Sequence, residues 1–167
     1  MTPVHKPRAL VVTVSDSASR GERQDLSGPA VQEELEKMGC MVKGIRVVPD
    51  EVLAIQSCLS EGIEDPMIDL IVTTGGTGLA PRDVTPEATA AVIEKTIPGM
   101  AELMRAEGAK SNSRAVLSRG VVGIRNKTMI INLPGSVKGV RESLAALRPV
   151  LGHALEVASG NTVRCGG

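Results

Sequence analysis

Apolar positions along this chain follow two periods, and the switches between them mark the elements. Ala9 to Val14 is an unbroken, largely β-branched run ending at Ser15-Asp16-Ser17, the pattern of a buried strand feeding a polar loop. Val31, Leu35 and Met38 then recur at i, i+4 and i+7. They predict a helix opening at Gly28-Pro29, where the missing proline N–H costs nothing, and stopping at Gly39. Lys43 to Val48 reads as a second strand, after which Asp50 is placed to cap a helix with Val52, Ile55 and Leu59 on one stripe. Ile68 to Thr74 is a third strand running into Gly75-Gly76-Thr77-Gly78. Thr85-Pro86-Glu87 supplies a cap, a first-turn proline and a first-turn acid for a helix through about Lys95, and more helix follows Pro98-Gly99. Ala115 to Ile124 and Thr128 to Leu133 read as two strands of a hairpin joined through Arg125-Asn126-Lys127. Ser136 caps a final helix with Val140, Leu144 and Leu147 inward, and Pro149 is expected to break or kink it.

Strands alternating with helices, plus one late hairpin, give a three-layer α/β/α domain whose sheet is mostly parallel with one antiparallel strand. At 167 residues the chain reads as a single domain with a core from about 9 to 158 and short tails. Ligands of such sheets gather at the carboxyl ends of the strands. Here those ends are Ser15-Asp16-Ser17, Pro49-Asp50, Gly75 to Gly78 and Leu133-Pro134-Gly135-Ser136, which together predict one pocket.

Composition narrows the ligand. Lys plus Arg equals Asp plus Glu at 19 each, so the field that draws a protein to nucleic acid or an acidic membrane is missing. Phe, Tyr and Trp are all absent, which removes the usual platform for stacking single-stranded bases. Cys40, Cys58 and Cys165 form no CxxC pair, so neither a disulfide framework nor a zinc site is expected, and a reducing cytoplasm fits. The apolar run after the polar start is too short for a signal core or a membrane span. A soluble protein is expected.

Three glycines in four positions after an apolar strand let successive N–H groups converge on phosphate oxygens. A tight turn with no ligand is the alternative. The loop matches neither the dinucleotide fingerprint nor a P-loop. Asp83 lies between this loop and a helix start, and its carboxylate reads either as a Mg²⁺ ligand bridging phosphates or as a partner of the helix dipole. Asp50 reads as a helix cap or as a second metal ligand, and two aspartates at neighbouring strand exits favour the metal. Arg82 reads as a phosphate screen or a solvated loop residue. Ser136 offers a helix N-terminus to an anion or merely caps it. Ser15, Asp16 and Ser17 supply short polar groups at the first exit. His5 and His153 lie away from the rim and receive no role, and the methionines read as core filler.

Taken together, the blocks Thr13 to Ser17, Asp25 with Ser27-Gly28-Pro29, Val48 to Glu51, Thr74 to Gly78 with Pro81 to Ala88, Leu117-Ser118-Arg119, and Asn132 to Ser136 resemble the molybdopterin adenylyltransferase family. The resemblance runs from about Leu10 to Ala158. Val137 departs from it, standing where many relatives carry proline. The resemblance implies a homotrimer that binds molybdopterin and joins AMP from ATP to its terminal phosphate, releasing pyrophosphate with Mg²⁺. It assigns Asp50 and Asp83 to metal and catalysis. Thr74, Gly75, Gly76, Thr77, Gly78 and Arg82 fall to the nucleotide phosphates, and Ser15, Asp16, Ser17, Ser118, Asn132, Pro134, Gly135 and Ser136 to molybdopterin. Other proteins of the same pathway are expected to hand molybdopterin over or receive the product. A phosphate monoester is largely dianionic near neutral pH and needs no general base, so a pocket without histidine suffices. The rival is a non-catalytic molybdopterin carrier or scaffold trimer.

Overall fold

Six strands form one sheet in the order β2-β1-β3-β6-β5-β4. The computed structural model describes residues 6–160, so His5 and Cys165 lie outside the described residues. β1 (Arg8–Val14) pairs in parallel with β2 (Met41–Val48) and β3 (Leu70–Thr74), and β3 pairs in parallel with β6 (Thr128–Leu133). β5 (Val122–Arg125) is antiparallel to both β6 and the short β4 (Lys95–Thr96), so it alone runs against the other five.

Strand alternation builds the layers. Ala9, Val11, Leu70, Val72, Met129 and Ile131 face one side and pack with α2 (Ser27–Lys37), α5 (Pro98–Ala109) and α6 (Val137–Ala158). Leu10, Val12, Ile71 and Ile130 face the other and meet Ile55 and Leu59 of α3 (Val52–Glu64) and Ala88 of α4 (Thr85–Ala90). A four-residue α1 (Asp16–Ser19) follows β1, a turn of helix that apolar periodicity could not signal. No helix among the described residues is long and apolar enough to cross a membrane. Cys40 and Cys58 are buried and free, and burial pushes both thiols up.

Five local expectations change. α4 ends at Ala90 rather than near Lys95, because Lys95 and Thr96 join β5 as an edge strand, with the Ile97 N–H donating to Val122 O at 2.8 Å. The run Ala115 to Ile124 divides into a 3₁₀ turn at Ser113–Leu117, capped by the Asn112 side chain, and a strand starting only at Val122. Gly120 lets the chain pass close to β6, where a Cβ would stand 2.9 Å from Asn132 O. α6 continues through Pro149. The proline lies on the exposed face while Leu147, Leu151 and Leu155 hold the helix to the core, so the lost backbone bond falls where water replaces it. Thr85 is the first residue of α4 and not its cap, and its hydroxyl donates to Gly75 O. Asp50 does not cap α3. Glu51 holds that position without a side-chain bond, and the Asp50 carboxylate turns to the neighbouring strand exit.

Ser136 does cap α6, accepting from Gly139 N at 3.0 Å. Val137 is then the first helical residue, a position at which proline is also accommodated.

Candidate active site at the strand exits

β2, β1, β3 and β6 all end at one margin, and β1 and β3, whose connections leave in opposite directions, are neighbours there. The loop after β3 is shaped by close backbone approach. Gly75 has φ +100° and a Cβ on it would stand 2.4 Å from Val14 O, while one on Gly76 would stand 2.3 Å from the Thr85 hydroxyl. Only glycine takes both positions without displacing a neighbour. Gly75 N–H donates to Leu133 O, Thr85 N–H to Gly76 O, and the Thr85 hydroxyl to Gly75 O.

Beyond these anchors the pattern reverses. Among the described residues, the N–H groups of Gly76, Thr77, Gly78 and Leu79 donate to no protein acceptor. The carbonyls of Gly76, Thr77 and Gly78, in contrast, are held from behind. Arg119 N–H donates to Thr77 O at 2.8 Å, and its guanidinium donates to Gly78 O and Asp83 O at 2.8 Å each and also pairs with Glu87. That pairing holds the Glu87 carboxyl below its ordinary range. In a trans peptide the N–H points opposite to the C=O, so the Gly78 and Leu79 N–H groups turn away from Arg119.

Residues 76–79 line a cleft of about 640 Å³ that also takes in Asp83, Ser118, Asn132 and Pro134 to Ser136. Arg105, Arg114 and Lys138 bring positive charge to its walls. A second cavity of about 380 Å³, lined by Ser15, Thr74, Gly75, Ser27 and Arg23, lies beside it, and Gly135 and Ser136 border both. The wall between them is thin, since a Cβ on Gly135 would stand 3.3 Å from Gly75 Cα.

Carboxylates gather at the margin. Asp16 N–H donates to Asp50 Oδ2 at 2.8 Å and Asp50 N–H to Asp16 Oδ1 at 3.0 Å, which ties two strand exits together. Arg82 closes a fork on Asp16 at 2.8 and 2.9 Å and holds that carboxyl below its ordinary range. Arg82 thus pairs with Asp16 while its side chain stays exposed. The Asp50 carboxyl is pushed up, first by burial and then by the negative charges of Asp16 and Asp83. Asp83 Oδ2 accepts from Ala80 N–H at 2.9 Å, closing the turn beside Gly78.

Mg²⁺ commonly takes one or two carboxylates together with phosphate oxygens. No group of three or more His, Cys, Asp or Glu among the described residues forms a metal cage, but the Asp50 and Asp83 oxygens, mutually repelling beside bare amides, fit a cation brought with phosphate. Other residues read as ligand-binding are committed to the fold. Thr74 Oγ1 donates to Pro134 O at 2.8 Å. Ser15 Oγ accepts from Ala18 N–H and lies 3.3 Å from Ser17 Oγ. Ser118 Oγ accepts from Gly120 N–H at 3.4 Å.

Asn132 is 1% exposed, donates to the Thr73 and Thr89 hydroxyls, and accepts from Val121 N–H. It braces the cleft floor from within. Asn132→Ala strips partners from two buried hydroxyls and a half-buried N–H and is expected to lower stability by about 2 kcal/mol, read as a shift in the midpoint of denaturant unfolding.

The sequence reading missed Arg105, Arg114, Lys138 and the structural part of Arg119. Lys138 carried a usable signal: it lies in the first turn of α6, where the helix dipole disfavours a cation, so a cation there suggests an anionic neighbour. The Asp25 carboxylate was also unassigned. It accepts from Thr13, Ser27 and Gly28 and steadies the start of α2.

Comparison with known proteins adds a second line of observation. A family described as "probable molybdopterin binding domain" matches residues 10–153. The chain is similar to a molybdopterin adenylyltransferase of Helicobacter pylori, 44% identical over 153 residues, covering 90% of this chain and 87% of that one. It is 39% identical over 150 residues to the molybdopterin adenylyltransferase of Escherichia coli, with 89% and 77% covered. The crystal structure of the molybdopterin biosynthesis enzyme MoaB from Thermus thermophilus superimposes with a TM-score of 0.87 at 50% identity, covering 92% of this chain and 96% of that one.

Proposed function

The chain belongs to the probable molybdopterin binding domain family, and from that premise we propose that it joins AMP from ATP to the terminal phosphate of molybdopterin, releasing pyrophosphate. It is an adenylyltransferase of molybdenum cofactor biosynthesis, the activity that its relatives at 39–44% identity are named for. The observation that carries the reading is the run of N–H groups from Gly76 to Leu79 without protein acceptors, on residues that line the cleft beside Asp83.

Four free donors on a rigid loop favour a triphosphate, whose oxygens spread negative charge over several atoms. The attacking phosphate monoester is already largely dianionic, so the protein need not remove a proton. What remains is to hold two anions in line and offset their repulsion. The glycine loop holds one. Ser136, at the start of α6 and bordering both cavities, and the cations Arg105 and Lys138 favour the other. Asp50 and Asp83 would hold Mg²⁺, which when bound neutralises charge on the triphosphate. Arg82 and the reciprocal Asp16–Asp50 bonds hold Asp50 in place, with Oδ1 beside Gly76.

The protein works as a homotrimer in a reducing cytoplasm, and other proteins of the same pathway deliver molybdopterin and receive the adenylated product. A carrier that binds molybdopterin without nucleotide chemistry is the competing reading. Incubation with molybdopterin, ATP and Mg²⁺ separates them: pyrophosphate release dependent on all three is expected. Uptake of molybdopterin with no pyrophosphate released would leave only the carrier.

A further inference from the structure

We propose that Arg119 is the positioning residue of the anion loop, its N–H pinning the Thr77 carbonyl and its guanidinium the Gly78 carbonyl so that the opposite side of those peptides stays open to phosphate. The role rests on reading Gly76 to Leu79 as a phosphate cradle.

Arg119 precedes β5, far from the loop in sequence, and its contacts converge on one short stretch of backbone. Its N–H takes Thr77 O, Nε takes Gly78 O, Nη2 takes Asp83 O, and Nη1 reaches Glu87 on α4. A glycine-rich loop has little conformational preference of its own and pays heavily in entropy to keep one shape. An unbraced peptide between Gly78 and Leu79 can flip, which would present a carbonyl to an anion.

A guanidinium suits the task because its fork donates in fixed directions to several acceptors at once. Lysine, a point charge on a flexible stem, cannot reproduce it. The cation also polarises the Gly78–Leu79 peptide, which strengthens the Leu79 N–H as a donor on the far side. By holding Asp83 O as well, Arg119 sets the Asp83 turn relative to the loop.

Inorganic pyrophosphate, titrated calorimetrically into the protein without other substrates, is the probe. Arg119→Ala is expected to weaken its binding about tenfold, and Arg119→Lys to recover little of that loss. Free guanidinium chloride is expected to restore part of the affinity to the alanine variant, which a loss of general stability would not permit. A folded alanine variant that binds as wild type does, or a lysine variant that matches wild type, would overturn the role. Should the alanine variant fail to fold, the lysine variant decides. If wild-type protein itself binds no pyrophosphate, the cradle reading beneath the role falls, and the role with it.

Discussion

Asp83→Asn is expected to lower adenylyl transfer by about 10²-fold, roughly 3 kcal/mol of lost barrier reduction, in a protein whose unfolding midpoint scarcely moves. The two effects separate because the carboxylate has two tasks. One is local: Asp83 Oδ2 accepts from Ala80 N–H at 2.9 Å and closes the turn beside Gly78. An amide oxygen accepts the same bond, so asparagine keeps the turn. The other is electrostatic, because Asp83 adds to the negative charge that pushes the Asp50 carboxyl up, and asparagine removes that charge. Alanine removes both, so it should cost as much activity and some stability besides. Turnover by Asp83→Asn within a few-fold of wild type, measured as pyrophosphate release, would take Asp83 out of the chemistry and leave it as a turn residue.

Gly75→Ala is expected to lower stability by about 4 kcal/mol, a fall in melting temperature on the order of 10 °C for a domain of this size. At φ +100° an L side chain is strained, and a Cβ there would stand 2.4 Å from Val14 O, a backbone atom of the adjacent central strand. The carbonyl cannot swing aside as a side chain would. Gly78→Ala makes the control. Its Cβ would meet Asp83 Oδ2 at 2.8 Å, a side-chain atom, and the same change should disturb the site more than the fold. Equal melting of Gly75→Ala and wild type would show that β1 and β3 part more readily than their packing implies.

The sequence and the structure agree where each segment carries its own signal. β1, β3 and β6 were legible because strands buried on both faces read as continuous apolar runs, and all three are almost wholly buried. The Ser136 cap was legible because the side chain bonds a residue three along its own chain. Three of the errors share one cause, a distant partner prevailing over local preference. Thr85 has the chemistry of a cap, yet its hydroxyl goes to Gly75 O ten residues away. Asp50 likewise looks like a cap until Asp16 is found across the strand exits. Lys95 and Thr96 follow a helical stretch, but β5 offers an open edge.

The amino-acid order by itself determined the layered architecture, the margin at which the ligand loops meet and the glycines that shape the central loop, because each of these follows from patterns within one segment. Tertiary structure alone decided which partners these side chains take: Asn132 bonds the Thr73 and Thr89 hydroxyls, Thr74 bonds Pro134 O, Arg82 bonds Asp16, and Arg119 reaches the loop from beyond it. Those assignments depend on side chains meeting across tens of residues, and no local pattern encodes which of two available hydrogen-bond partners will be nearer once the sheet has closed.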